Sequence, residues 1–342
     1  MKPIYKFIFT KILILFITYF IALSIAFILP RVVPGNPVQS LIVNLAAGSL
    51  SPELLDEYQQ TLVRIFELNE PLHIQFINFI RRSFTGDLGV SAQAYGEPVV
   101  SLIAKHLPWT ILLLVPAITI AWFIGNYLGA RASYKRGSIS EKVTVATGMV
   151  ISQIPYYWLA MTLIFALAIL PRQLWRVDLL PPGSAYDPTL EPSLTLEFIT
   201  SYLRHYILPF LSILLPSLGG WIISMRVIAT MELGSPYISY SDNLGVKDKI
   251  LFRYVLRNSM LPQVTALGIQ LGFVLTGQII TEQIFNYQGM GILLARALGV
   301  RDYPVIQGVF MILIGTVLLA NFIVDFVYVL IDPRIRLGYR RD

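Results

Sequence analysis

The residues that could do acid–base or metal chemistry are few and lie far apart in the sequence. No spacing among the three histidines, His73, His106 and His205, would bring two of them to one metal ion. The sequence has no cysteine, which excludes a thiolate nucleophile and a cysteine-based metal site. Asp325 lies inside the last long apolar segment, where we expect it to pair with Arg334 or a neighbouring helix end. These features disfavour a membrane enzyme and an ion-coupled carrier.

Nucleotide chemistry is also missing from this chain. A phosphate-binding P-loop needs glycine directly followed by lysine, and no glycine in the sequence is followed by lysine. We therefore expect the chain to bind no cofactor and no metal. Any ATP chemistry must take place on another polypeptide.

Hydrogen-bonding side chains do form a pattern in the fifth long apolar segment, Leu261–Ile284. Gly268 and Gly272 in the same segment have the spacing that allows close helix packing. A polar arc of this kind is typical of a helix that lines a hydrophilic path, but it equally suits a polar seam between two helices. The members of the arc share one face of a helix and are Gln263, Gln270, Gln278 and Thr281.

A polar and basic segment, Glu232–Pro262, separates two long apolar runs. Ser235 and Pro236 are suited to the start of a helix, which should run to Leu244 and end at Gly245. A second helix should begin near Lys247 and run towards Leu261–Pro262. It would carry Lys249, Arg253 and Arg257 as one basic stripe. Local signals alone also suit a surface loop with a solvated basic face.

The elements that position these residues are membrane helices. Hydrophobic residues make up 55% of the 342 residues and charged residues only 13%, about half the usual share in a soluble domain. Such a composition predicts an all-α integral membrane protein. Six segments are long and apolar enough to span a bilayer, namely Phe7–Leu29, Leu107–Ala130, Val143–Leu170, Tyr206–Met231, Leu261–Ile284 and Pro304–Ile331. In the fourth segment, Pro209, Pro216 and Gly219-Gly220 predict a kink or local unwinding.

Charge distribution orients these spans. Most of the 26 lysine and arginine residues fall on the side of the two termini, which predicts cytoplasmic termini and contact with membrane lipid rather than nucleic acid. We predict a first transmembrane helix at 1–30, an external cap at 31–105 and a five-helix core at 106–342. The core would contain a cytoplasmic loop at 233–261. Amphipathic helices are predicted in the cap after Ser51 and over Pro71–Phe84, and a second external loop over Pro171–Arg204.

Several short motifs, in this order, resemble permease subunits of ABC importers, in the dipeptide/oligopeptide (DppB/OppB-like) branch. The polar segment, with Gly245 followed 17 residues later by Pro262, resembles the cytoplasmic EAA loop of that family. The similarity covers nearly the whole chain. The remaining motifs begin at Pro34 (PGNP), Leu68 (LNEPL), Thr85 (TGDLG), Pro98 (PVVSLI), Leu107 (LPWT), Ile154 (IPYYWL), Leu179 (LLPPG), Glu282 (EQIFNYQGMG), Arg301 (RDYPVIQG) and Asp332 (DPR).

The resemblance implies a fold, partners and site residues. It implies the type I ABC-importer permease fold in a prokaryotic cell membrane, a second homologous permease subunit, two cytoplasmic ATPases that carry ATP and magnesium, and an external substrate-binding protein. The short helix would seat in an ATPase groove as an amphipathic anchor. The coupling residues would be Pro236, Tyr237, Tyr240, Leu244, Gly245 and Pro262. Asp242 and Asn243 replace the basic residues that the family usually has before the glycine.

The substrate implied by this branch is a dipeptide or oligopeptide. Similar permeases import oligosaccharides or nickel chelates, and these remain alternatives because selectivity would rest largely with the binding protein.

Overall fold

The computed structural model describes residues 3–32, 38, 42, 52–94, 96–272 and 279–331. In these residues the secondary structure is helical, apart from one isolated antiparallel bridge between Val90 and Pro98. This confirms the predicted all-α class. The helices are α1 (Pro3–Val32), α2 (Pro52–Ile65), α3 (Leu72–Thr85), α4 (Val99–Tyr134), α5 (Ile139–Ser152), α6 (Tyr156–Ile164), α7 (Leu170–Trp175), α8 (Leu196–Leu233), α9 (Pro236–Asn243), α10 (Asp248–Gly272), α11 (Ile279–Ile284), α12 (Met290–Val300) and α13 (Tyr303–Ile331), with a π-helical segment, Phe165–Ile169, between α6 and α7.

Several of these helices are long and apolar enough to cross a membrane. Four such helical segments occur among the described residues, Ile8–Val32, Val99–Tyr134, Tyr156–Trp175 and Leu196–Leu233. They overlap the first four predicted spans, although the third lies further towards the C-terminus than predicted. Two shorter apolar helical segments, Met290–Val300 and Tyr303–Leu319, follow nearer the C-terminus.

The third predicted span, Val143–Leu170, is not one helix. Helix α5 ends at Ser152 and α6 begins at Tyr156, after Pro155 in an extended conformation. Proline disfavours a helical conformation in the residue before it, so the preceding helix stops short of Pro155. The apolar helical segment continues instead through the π-helical turn to Trp175.

The fourth predicted span is one continuous helix, so the local unwinding that we considered does not occur, while a kink at the prolines stays a prediction. Helix α8 runs for 38 residues through Pro209, Pro216 and the two glycines without a break. Helices α5, α6 and α10 pack against it. Much of its surface is buried by these neighbours, and we infer that this packing keeps the helix intact despite the missing proline hydrogen bonds.

Glycines allow α4 and α5 to approach α8 closely. A β-carbon added at Gly129 of α4 would lie 2.5 Å from the carbonyl oxygen of Ile222, and one at Gly125 would lie 2.5 Å from Cβ of Trp221. Likewise, a β-carbon at Gly219 would lie 2.5 Å from the carbonyl oxygen of Gly148 in α5. Contacts this close leave no room for a side chain. The Gly-x-x-x-Gly spacing at Gly125 and Gly129 was the available sequence signal.

The chain divides into two compact units. The first contains the described residues of 1–110, Ile279 and the residues from Gln288 onward, and in it α1 packs against α13 and α3. The second contains the described residues of 111–274 and residues 280–287. The two helices that we predicted after Ser51 and over Pro71–Phe84 are present in the first unit as α2 and α3.

Asp302 ties a loop of the first unit to the start of α13. The residue is completely buried, and its Oδ2 atom accepts hydrogen bonds from Ser91 Oγ at 2.6 Å and from the backbone N–H of Gln93 at 3.0 Å. A buried carboxylate is stable only when it is well hydrogen-bonded, so these contacts fix the loop against the helix.

Candidate functional site

The short helix α9 presents its predicted coupling residues to solvent. Tyr240 and Leu244 are 67% and 65% exposed, and Tyr237 and Pro236 are exposed as well. Leu244 is the C-cap, one residue after the helix, and Gly245 follows with φ +77°. This left-handed conformation is the one predicted for the glycine that ends the helix. Ser235 occupies the N-cap position but makes no side-chain capping hydrogen bond.

An apolar residue that the sequence analysis did not select, Ile238, anchors α9. It is buried in a cluster that also contains Ala130, Met225, Ala229 and Val255. Burying an isoleucine side chain contributes about 1.5–3 kcal/mol. The opposite face of the helix is thus left free to contact another molecule. An isolated apolar residue in the polar run Tyr237–Asn243 was the sequence signal for this anchor.

Polar contacts fix the first turn of α9 from two sides. The Tyr237 hydroxyl donates a hydrogen bond to Glu232 in α8, and Asn258 Nδ2 in α10 donates to the same Glu232 oxygen at 3.1 Å and to the Tyr237 hydroxyl at 2.7 Å. Burial, together with the contact to Glu232, raises the pKa of Tyr237. This network holds α9 against the ends of both neighbouring helices.

Helix α10 differs from the prediction in its length. It begins at Asp248, and it does not end at Leu261–Pro262 but continues to Gly272, so Pro262 lies inside the helix and is exposed. Lys249, Arg253 and Arg257 are all exposed and form the predicted basic stripe along the first turns. The polar segment and the fifth apolar segment therefore share one continuous helix.

An ion pair joins the start of α5 to α8. Arg226 Nη2 and Nε lie 2.7 Å and 3.2 Å from Glu141 Oε1, and the backbone N–H of Gly137 donates to Glu141 Oε2 at 2.6 Å. The bonds from Arg226 and from Gly137 hold the pKa of Glu141 below its ordinary value. Glu141 thus links the loop after α4 to the helix at the centre of the second unit.

Replacing Glu141 by glutamine is expected to lower the thermal unfolding midpoint of the purified full-length chain near neutral pH. A lowered folded-state pKa stabilises the fold above the unfolded pKa of about 4.3, and this stabilisation is lost as the pH falls through the folded value. The difference between wild type and Glu141→Gln should therefore stay constant near neutral pH and shrink as the pH falls below about 4.3. Glu191→Gln, in an exposed loop, is the matched control. A difference that stays constant with pH would contradict the ion-pair explanation.

The predicted path residues occupy different environments. Gln263 is only 1% exposed, and its Nε2 donates to Ser224 Oγ of α8 at 2.9 Å while its backbone oxygen accepts from Trp122 Nε1 at 3.0 Å. Thr281 is also buried, and Gln270 is half-buried. The contacts of Gln263 are those of a polar seam between helices. The path-lining role of the set stays a prediction.

Some predicted features fall outside the described residues. These are Gln278, the motifs that begin at Pro34 and Asp332, and the pairing of Asp325 with Arg334.

The predicted external loop after α7 is fixed to the segment that follows α11. The backbone N–H of Ser184 donates to the carbonyl oxygen of Phe285 at 2.6 Å, and a β-carbon at Gly183 would lie 2.6 Å from the same oxygen. An open cavity of about 670 Å³ lies beside this loop, lined by polar and charged residues that include Arg172, Asp187 and His205. Gly183, the last residue of the Leu-Leu-Pro-Pro-Gly motif, thus allows the loop to approach Phe285 closely.

Comparisons with known proteins agree with this architecture. A family model described as "Binding-protein-dependent transport system inner membrane component" matches residues 117–337. The dipeptide transport system permease protein DppB of Escherichia coli strain K12 is 30% identical over 325 residues, which cover 92% of this chain and 93% of that protein. The DppB protein of Alkalihalophilus pseudofirmus is 29% identical over 336 residues (95% and 97%), and the oligopeptide transport system permease protein AppB of Bacillus subtilis is 27% identical over 313 residues (91% and 93%).

These matches confirm the resemblance inferred from the short motifs. The family match alone covers well over half of the chain, and the relatives align over almost all of it. The chain belongs to the family of inner membrane components of binding-protein-dependent transport systems.

Proposed function

We propose that this chain is one of two permease subunits of an ATP-driven importer for dipeptides or oligopeptides. The peptide substrate is proposed because relatives that align over more than nine-tenths of this chain carry names of dipeptide and oligopeptide permeases. In this proposal the chain is a non-catalytic membrane subunit. It binds no cofactor itself, and ATP and magnesium belong to separate ATPase subunits.

One observation supports the proposal that α9 couples this chain to the ATPase. Helix α9 has one buried anchor, Ile238, while Tyr240 and Leu244 stand exposed on the other side. Exposed large apolar side chains on a helix that is otherwise firmly held suit a partner groove. We propose that the ATPase supplies this groove and that Asp242, exposed beside it, contacts a basic partner residue.

The proposed arrangement in the membrane has six spans with both termini in the cytoplasm. The four long apolar helices support the first four spans, and α10 with α11 and then α13 would complete the set. The basic stripe of Lys249, Arg253 and Arg257 would then lie on the cytoplasmic side, as the charge bias of membrane proteins favours. An external binding protein would deliver the substrate on the opposite side.

The absence of cysteine from the chain allows the coupling contact to be tested by single-cysteine cross-linking. Tyr240→Cys is expected to cross-link to the ATPase subunit in membranes that contain the assembled transporter, because this position stands exposed on α9. The measurement is the appearance of a cross-linked band on a denaturing gel. Leu194→Cys, on the proposed external loop and almost fully exposed, is the matched control and should give no such band. Equal cross-linking at both positions would overturn the assignment of α9.

Transport itself is tested with the reconstituted complex. Proteoliposomes that contain the chain, its partner permease, the ATPases and the binding protein should accumulate labelled dipeptide or oligopeptide only when ATP is supplied on the ATPase side. ATP-dependent accumulation of an oligosaccharide or a nickel chelate in place of peptide would contradict the proposed substrate but would support the proposed ATP-driven importer. ATP-independent uptake would contradict the proposed class of transporter.

A further inference from the structure

A cavity of about 270 Å³ in the first unit has no role in the proposed transport function. It lies between α2, α3, the loop 87–90 and the first turns of α13, and Arg31 from the last turn of α1 lines it. Its buried lining includes Phe66, Gln75 and Tyr303. Charged groups at its edge are Arg64, Glu67, Arg82 and Asp87.

The two carboxylates at this cavity already have partners. Glu67 Oε1 lies 2.6 Å from Arg82 Nη2, and Glu67 Oε2 accepts a hydrogen bond from Asn78 at 3.0 Å. Asp87 Oδ1 accepts from the backbone N–H of Gly89 at 2.9 Å, and Oδ2 is 3.9 Å from Arg82 Nε. Arg82 is therefore neutralised by the two acids.

Two further arginines lack a carboxylate at ion-pair distance: Arg31 is half-buried and interacts with Glu67 only at longer range, and Arg64 is exposed. Among the described residues, no carboxylate lies within 4.0 Å of Arg31 or Arg64. Arg31 donates two hydrogen bonds to Gln75 Oε1 and one to the carbonyl oxygen of Phe27. A guanidinium group has five N–H donors, so two remain. The cavity thus keeps an excess of positive charge with unused donors.

Gln307 adds a donor that is also unused. Its Nε2 atom is buried and has no hydrogen-bond partner among the residues that the structure describes, and its side chain lines the same cavity. A buried amide group without a partner is costly, so native proteins normally supply one. The lining offers N–H donors from the half-buried Arg31, the exposed Arg64 and the buried amide of Gln307, and the last of these lacks an acceptor.

We propose that this cavity binds a phosphate group, either in a phospholipid headgroup or as free inorganic phosphate. Arginine forks and a neutral amide donor are groups that bind phosphate oxygens well. At about 30 Å³ per water molecule, the cavity has room for a tetrahedral oxyanion with several waters. Arg31 lies in the last turn of the apolar segment Ile8–Val32, and the end of a helix that spans a bilayer lies close to the lipid headgroups. A lipid headgroup is therefore the first source to test.

The test measures the thermal unfolding midpoint of the full-length chain in a neutral maltoside detergent. Dioctanoylphosphatidylglycerol is expected to raise the midpoint, whereas dioctanoylglycerol, which lacks the phosphate, should not. Gln307→Met and Arg64→Gln should each weaken the apparent affinity about tenfold, since each removes a hydrogen bond to a charged group. Arg81→Gln, an exposed arginine on α3 that does not line the cavity, is the matched control and should behave as wild type.

The Gln307 variant separates binding from folding. Methionine has nearly the shape of glutamine but no unpaired donor, so the midpoint of Gln307→Met without ligand should be equal to or above that of wild type. If inorganic phosphate alone gives the same variant-sensitive shift, free phosphate is the ligand. If the shifts with the phospholipid are equal in wild type, Gln307→Met and Arg64→Gln, or equal with dioctanoylglycerol, the proposal is wrong.

Discussion

Replacing Gly245 by valine is expected to reduce substrate-stimulated ATP hydrolysis by the assembled transporter about tenfold or more. Gly245 has φ +77°, a conformation that strains a β-branched residue by about 1–3 kcal/mol. Nothing lies within 4 Å of the position that its β-carbon would take, so the strain falls on the backbone turn between α9 and α10 rather than on packing. The turn should relax by moving α9 away from the proposed ATPase groove. The measurement is ATP hydrolysis with and without substrate-loaded binding protein.

Two further variants distinguish a specific coupling defect at the Gly245 turn from a general loss of stability. Gly86 has nearly the same φ, +75°, and equally open surroundings, but it ends α3 in the first unit. Gly86→Val therefore carries the same local strain and should leave stimulation near the wild-type level. Gly245→Asn should keep most of the stimulation, because asparagine tolerates the left-handed conformation. Wild-type stimulation in Gly245→Val, with the complex assembled, would refute the coupling role.

Alanine at Gly219 is expected to destabilise the chain strongly, while alanine at the adjacent Gly220 is not. The added methyl group at Gly219 would lie 2.5 Å from the carbonyl oxygen of Gly148 and 2.6 Å from Ile151 Cγ1, so α5 and α8 must separate. Overpacking of this kind costs about 1–3 kcal/mol. A methyl group at Gly220 meets nothing within 4 Å, and alanine in a helix is about 1 kcal/mol more favourable than glycine.

The test compares the two alanine variants with wild type. Both proteins are purified in the same detergent, and the thermal unfolding midpoint and the yield of monodisperse protein are measured. Gly219→Ala should lower both, and Gly220→Ala should leave them equal or higher. If the two variants behave alike, the close approach of α5 and α8 at Gly219 is not present in the folded protein.

These two glycines also show where the sequence stops being informative. The pair Gly219-Gly220 was interpreted as a weak point in α8, whereas the helix is continuous and only one of the glycines is needed for packing. Which of two adjacent residues faces a neighbour depends on where the other helices lie. A sequence pattern cannot supply that information when, as in a membrane span, all faces are apolar.

The candidate coupling site was more predictable because its signals are local. A proline in the first turn and a glycine after the end define α9 without reference to the rest of the chain, and both positions agree with the structure. The residues that anchor α9 could not be predicted in the same way, because their contacts depend on the tertiary structure. Tyr237 could be selected from the sequence, but its contacts with Glu232 and Asn258 join residues that are 5 and 21 positions away. Gln263 likewise has a partner, Ser224, in another helix.

The continuity of α10 through Pro262 has a mechanical consequence. The helix has 25 residues, which at 1.5 Å per residue makes a rod about 37 Å long. One end of this rod lies beside the turn at Gly245. The other end reaches Gly272, in the fifth apolar segment, which carries the arc of polar side chains. If the rod tilts by roughly 5° about one end, the other end moves by roughly 3 Å over this length. A displacement of that size is close to the width of a water molecule, so a small tilt of α10 beside the Gly245 turn would change the packing at its far end by about one water layer.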